Sequence, residues 1–342
     1  MILLNEEVPD KTFVMNKIFA ICIIIFLALP AYSMNSDEMH EMLGPNISDV
    51  QPYLDLKFHR EPEENTNQIA QHKLTLYELF IQATLFPSIT DRQLSIQLKG
   101  RMSDLMDGLV LPNTGLQIQE PLFDPGLGAT YRMKLSDDAM LGMNLSLSSA
   151  SEAPFNDGHH PDVGANIFYR FPFNENEGWI IYLHYDSIRE YLPNAPVPGA
   201  GYIFKSDDNK LHAVIGAPYA EAEWKPLERL SLKADWQYPR HLRTEAGVRI
   251  LSSFILHGNF DWRQERFRNK DRVRDENMLN YYEKLFYGGL RYEIGNGVFG
   301  DVYAGKAFDR FWFEGENYGD RNYNRIEVDD GFVYGLRFKT TF

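Results

Sequence analysis

Cysteine is nearly absent from this sequence: among 342 residues only Cys22 is found, and it lies in an N-terminal apolar run. A mature chain lacking that run has no disulfide, no thiolate nucleophile and no Cys-based metal site. Long apolar stretches are equally scarce. Apart from Ile18–Leu29 there is none, and the mean hydropathy of −0.37 is too low for a helical membrane protein, whose spans each need roughly 20 apolar residues. Basic charge is also in deficit, with 34 Lys and Arg against 48 Asp and Glu and a net charge of −14. That balance argues against nucleic-acid binding, which needs a basic face.

Aromatic residues, by contrast, are plentiful. They make up 14% of the chain, with 19 Tyr and 23 Phe, a content that suits strands and the interfacial girdles of a barrel. The one apolar run is preceded by Lys17 and followed by Pro30-Ala31-Tyr32-Ser33, the pattern of a cleaved secretory signal peptide. Residues 1–14 carry Glu6, Glu7 and Asp10, so Met15 is the expected start and 1–33 the expected extension plus signal. Residues 34–70 are acidic and aperiodic and predict a flexible leader. The remainder, 71–342, is expected to be one β-barrel.

That expectation rests on period two. Leu230, Leu232, Ala234, Trp236 and Tyr238 alternate with Ser231, Lys233, Asp235 and Gln237. Leu141, Met143, Leu145 and Leu147 alternate with Gly142, Asn144, Ser146 and Ser148, and similar patterns recur at 127–134, 179–186 and 242–250. Such segments are strands with two unlike faces. A soluble sandwich or propeller alternates too. The segments here, however, run about 9–11 residues, the span of a tilted membrane strand, and their apolar faces end in aromatics such as Trp179, Trp224 and Trp262. Short connections (136–138, 174–178, 206–209, 225–228, 295–297) alternate with longer polar ones near 150–162, 187–198, 262–280 and 309–331, as in outer-membrane barrels. An all-β architecture, an antiparallel transmembrane β-barrel, follows, with an even strand number between 12 and 16 and fourteen as the best count. Residues 50–58 and 72–86 could add two strands, although 72–86 also fits an amphipathic helix or a plug. At Ala217-Pro218 the parity switches, marking a tight turn or a bulge.

The final segment carries a family resemblance. Phe332, Tyr334, Leu336, Phe338 and Phe342 alternate with Arg337, Lys339 and Thr341. This pattern resembles the terminal strand of bacterial outer-membrane β-barrel proteins of Gram-negative organisms. One departure is Thr340, where those strands usually carry Tyr or another apolar residue. The resemblance implies that Phe338 and Phe342 signal to the barrel-assembly machinery. The middle of the chain is similar to porin-like barrel domains of unknown function.

On the inward parity lie Arg132, Arg170, Asp186, Lys233, Asp235, Arg243, Glu245, Arg249, Arg291 and Arg337. Charges of both signs there predict either a hydrated lumen passing small polar solutes or a salt-bridge network filling a narrow barrel. Outer-membrane lipid and lipopolysaccharide are the expected surroundings. A non-conducting structural or adhesion barrel is the alternative. A lipid-modifying enzyme needs a nucleophile–base pair, for which His184, Asp186 and Ser187 are the nearest candidates, although Ser187 has the opposite parity. Asn156–Asp162, with His159 and His160, has the residue types for a cation, yet its Gly and Pro mark a turn. No cofactor site is expected.

Overall fold

A computed structural model describes residues 53–341, apart from 68–70, 85–90, 105–108, 136–138, 157–160, 238–239, 270–271 and the single positions 175, 191, 273 and 296. The expected signal peptide, His159, His160, Tyr238 and Phe342 lie outside the described residues.

Alternating sequences pair edge to edge, and here they close on themselves. In chain order the strands are β1 (Tyr53–Asn65), β2 (Gln71–Thr84), β3 (Arg92–Asp104), β4 (Leu122–Lys134), β5 (Met140–Ser148), β6 (Asp162–Pro172), β7 (Glu177–Asp186) and β8 (Val197–Lys205). They continue with β9 (Leu211–Ala217), β10 (Tyr219–Leu227), β11 (Leu230–Gln237), β12 (His241–Leu251), β13 (Phe254–Phe267), β14 (Met278–Gly295), β15 (Val298–Gly315), β16 (Ile326–Val328) and β17 (Gly331–Thr341). Consecutive strands pair antiparallel from β1 to β15, β15 pairs with β17, and β17 returns to β1. The ring therefore holds sixteen strands, with β16 lying outside it on the tip of β15.

The best count of fourteen is thus low by two, and the two additions are β1 and β2. Residues 53–65, expected in the flexible leader, are instead a ring strand paired on both sides. Residues 71–84 are strand and not helix. The stretches expected as loops at 262–280 and 309–331 are also shorter than expected, because β13, β14 and β15 run 14, 18 and 18 residues. Ala217-Pro218 resolves as a tight turn, since Ala220 to Trp224 pair with Ile215 to Leu211.

The outer face is an apolar belt. Leu127, Leu145, Ile167, Ile181, Leu256, Phe286, Val302 and Leu336 all point away from the ring and are exposed. Connections at the end where β1 begins and β17 finishes are short; at the opposite end longer segments join β3 to β4, β5 to β6, β7 to β8, β13 to β14 and β15 to β17, while β9 and β10 meet in a tight turn. The 109–118 segment makes a small hairpin, with Leu111 N donating to Leu116 O (2.8 Å) and Ile118 N to Leu109 O (2.9 Å). Gly115 turns it at φ 69, a value that glycine adopts without strain. Leu109, Leu111 and Ile118 pack with Leu74, Phe267, Leu279, Tyr281, Trp312, Ile326 and Val328 into a buried cluster. This plug occupies part of the loop end of the barrel, against β2, β4 and β13 to β15. A bulge at Asp309 (φ 51) inserts one residue into β15, and beyond it Arg310 and Trp312 turn inward while Phe311 and Phe313 turn out.

Candidate functional site

Inward residues from much of the ring line a luminal cavity of about 1400 Å³. Neighbouring strands place their inward charges in rows. One row runs Arg291, Asp301, Arg337, Lys57, Glu78, Arg101, Asp124 across seven strands. Signs alternate along it except between Arg337 and Lys57, where Arg337 turns diagonally to Asp55. Arg291 reaches Glu245 at 2.9 Å and Asp301 at 3.4 Å. Lys57 meets Glu78 at 3.0 Å, Lys99 meets Asp124 at 3.1 Å, and Arg101 meets Glu265 at 2.9 Å. The neighbouring-strand pairs Lys57–Glu78 and Lys99–Asp124 hold side chains against the wall, whereas Arg101–Glu265 joins β3 to β13, which are not adjacent in the ring, and so bridges the interior. They also cancel most of one another's field, so the lumen has local dipoles and no strong single sign.

The ten charged residues assigned to the lumen do not share one environment. Nine of them, Arg132 excepted as buried at 2% exposure, divide into two settings. Arg170, Asp186, Lys233, Asp235, Arg243, Glu245, Arg291 and Arg337 line the cavity. Arg249 sits at the short-turn rim, bonded to Glu293 (2.7 Å) and to Ser252 O (2.7 Å). Phe338 faces outward beside Gly300 and Leu56.

The candidate triad does not assemble. His184 Nδ1 is 2.6 Å from Asn166 Oδ1, within a ladder continuing through Asn144 to Thr130. Ser187 Oγ accepts from Val163 N (2.8 Å), and Asp186 Oδ1 accepts from Ile188 N (2.8 Å). Each group has a structural partner. Among the described residues no set of three or more His, Cys, Asp or Glu is placed to hold a metal ion.

Two features of the interior escaped sequence reasoning. The first is an apolar inner wall on β5 to β10, where Met140, Phe168, Ile180, Tyr182, Ile203, Val214 and Tyr219 pack together. Glycines make room for its rings: a Cβ at Gly142 would collide with Phe168, and one at Gly199 with Tyr182. The pairing of a luminal aromatic with a cross-strand glycine was the available signal. The second is a buried charge cluster under the plug. Arg310 Nη1 donates to Glu61 Oε2 (2.9 Å), His59 Nε2 lies 3.1 Å from Glu61 Oε1, and Tyr281 Oη donates to Glu61 (3.2 Å) and Glu283 (3.0 Å). Arg263 pairs with Glu283. Both members of the Arg310–Glu61 pair are wholly buried.

A closed antiparallel ring, apolar outside and charged within, is the architecture of a porin-like β-barrel. No protein-family model matches the sequence, and no curated protein matches it. Among solved structures it is similar to an outer-membrane channel from Pseudomonas putida F1, at 9% identity over 86% of this chain and 96% of that one, with a TM-score of 0.38. It is also similar to the TodX monoaromatic hydrocarbon channel (8% identity, 88% and 94% covered, TM-score 0.39). A FadL homologue from Pseudomonas aeruginosa is a further match (11%, 85% and 89%, 0.38). The likeness extends to barrel architecture alone.

Proposed function

We propose that this chain is an outer-membrane barrel that passes small polar solutes with weak charge preference. The observation that carries the reading is the luminal cavity of about 1400 Å³, walled by paired charges, inside an apolar belt. An 11-residue strand such as β17 is about 36 Å long at ~3.3 Å per residue. Tilted by ~45° it rises about 25 Å, the height of the apolar band in outer-membrane barrels. Only lipid makes such an exposed apolar belt favourable. Paired luminal charges suit hydrated solutes, because a passing molecule meets donors and acceptors without a deep electrostatic well.

Insertion is assigned to the barrel-assembly machinery through the β17 pattern that includes Phe338 and Phe342. At the upper edge of the belt, Lys306 beside Asp330 and Lys284 beside Trp262 suit contact with outer-membrane lipid and lipopolysaccharide. Planar-bilayer recording of the refolded protein is the test: stepwise current in neutral salt is expected, and a membrane as silent as the protein-free control overturns the reading. A non-conducting structural or adhesion barrel is the second reading, favoured by the plug that occupies the loop end of the lumen.

A further inference from the structure

The connections β7–β8 and β15–β17 are eight strands apart in a ring of sixteen, so they spring from opposite sides of the mouth. They nevertheless touch. Glu190, on the first, accepts from the backbone N of Tyr318, on the second, at 2.7 Å. The same carboxylate pairs with Arg240 of the β11–β12 connection. Arg240 also donates to Gln264 of β13 (2.7 Å) and lies 4.2 Å from the centre of the Tyr318 ring. Arg266 of β13 is the second clasp. Its guanidinium donates to Ile188 O on one side (2.6 Å) and to Glu316 O on the other (2.9 Å). Glu190 has only 3% of its side chain exposed and Arg240 only 12%.

Random loop collapse does not explain this arrangement. One carboxylate and two guanidinium groups tie together loops from three sectors of the ring, and each acts on two partners at once. The Tyr318 turn is itself rigid: Asn317 and Asp320 close a capping box around it, and Arg321 covers it at 4.4 Å from the ring centre. Ile188, Glu190, Arg240, Gln264 and Arg266 all border the luminal cavity, so the tie lies across its roof.

We propose that Glu190, Arg240 and Arg266 form a latch that holds the loops shut across the mouth of the lumen, so that solute entry requires these ties to part. The inference rests on the pore reading for its physiological meaning but not for its test. A two-state mouth responds to any change that weakens one state only. Its ties are charge-assisted hydrogen bonds, the strongest kind available to side chains.

The test uses full-length protein in intact cells, with Cys22 replaced by Ser and a single reporter, Lys233→Cys, facing the cavity. A fluorescent maleimide too large for general porins is added outside, and the labelling rate is compared with the Glu190→Ala and Arg266→Ala variants. Arg266→Lys keeps the charge but loses the fork that spans two carbonyls, and guards against a variant that fails to fold. Heat-shifted gel migration confirms folding in each case. Labelling should accelerate roughly tenfold or more in the Ala variants, the factor that losing ~1.4 kcal/mol of closed-state bias gives, and by less in Arg266→Lys. The charge swap Glu190→Arg with Arg240→Glu should bring the rate back towards the parent. Equal labelling in folded parent and variants overturns the latch. Faster labelling without bilayer current keeps the latch and removes the pore. Current without any change in labelling does the reverse.

Discussion

Replacing Arg310 by Met should cost about 3–5 kcal/mol of folding stability, the range for stranding a buried charge. Arg310 and Glu61 stand 2.9 Å apart with neither side chain exposed. At an effective dielectric of about 20, two unit charges at that separation attract by about 6 kcal/mol, and much of this offsets the desolvation of both ions. Without Arg310, Glu61 and Glu283 share Tyr281 as donor, and among the described residues His59 and Arg263 are their remaining ionisable partners. The Glu61→Gln, Arg310→Met double variant should lose less than the sum of the two single changes, by about 2 kcal/mol, as expected for residues in direct contact. The assay is urea unfolding of the lipid-reconstituted barrel, followed by tryptophan fluorescence and by heat-shifted gel migration. A single-variant cost below ~1 kcal/mol, or strict additivity in the cycle, would refute the picture of a coupled buried pair.

Leu145, outward at the middle of β5 and 53% exposed, tests the belt: Leu145→Arg should destabilise the reconstituted barrel by about 2–4 kcal/mol, and a cost near zero argues that no lipid lies there. Gly142→Val should cost about 1–3 kcal/mol through collision with Phe168, as overpacking does, and Phe168→Ala introduced with it should recover part of the loss in the same titration. Trp312→Ala should cost about 3–5 kcal/mol as a core cavity and expose the 109–118 hairpin to limited proteolysis. Cleavage unchanged from the parent would show that the plug does not depend on Trp312.

Legibility followed the environment of each strand's inner face. Where that face meets water, as on β11 and β17, Lys233, Asp235 and Arg337 alternate with apolar partners and the strand declares itself. On β2 the inner residue Leu74 packs against the plug and Leu76 beside it is buried while Tyr77 and Leu79 face out, so both parities are apolar and the segment mimics an amphipathic helix. β1 was hidden for the opposite reason. Glu61, Glu63 and Glu64 make it look like an acidic tail, and the partners of Glu61, which are His59, Tyr281 and Arg310, the last 249 positions along the chain, explain why a carboxylate is buried there. The Asp309 bulge shifts parity inside β15, so the alternation breaks there and the last loop was expected to begin at 309. Charged inner positions were readable one strand at a time. Their pairing was not, because the row from Arg291 to Asp124 exists only once seven strands are in register. The latch was illegible for the same reason, since Glu190 and Tyr318 share no local signal.

The join between β1 and β17 sets the order of events during assembly. Tyr53 to Arg60 pair with Thr341 to Tyr334, and the Asp55–Arg337 bond spans 282 positions of the chain. Every other ring pairing can form between segments made one after the other, but β1 has no second neighbour until β17 has been synthesised. Until then it is an open edge with unmet hydrogen-bonding groups, a template for pairing with other chains. Contacts so distant in sequence are slow to form, so the seam is expected to close after the other ring pairings. A chain stopped anywhere before β17 would be an open, adhesive sheet and not a smaller barrel.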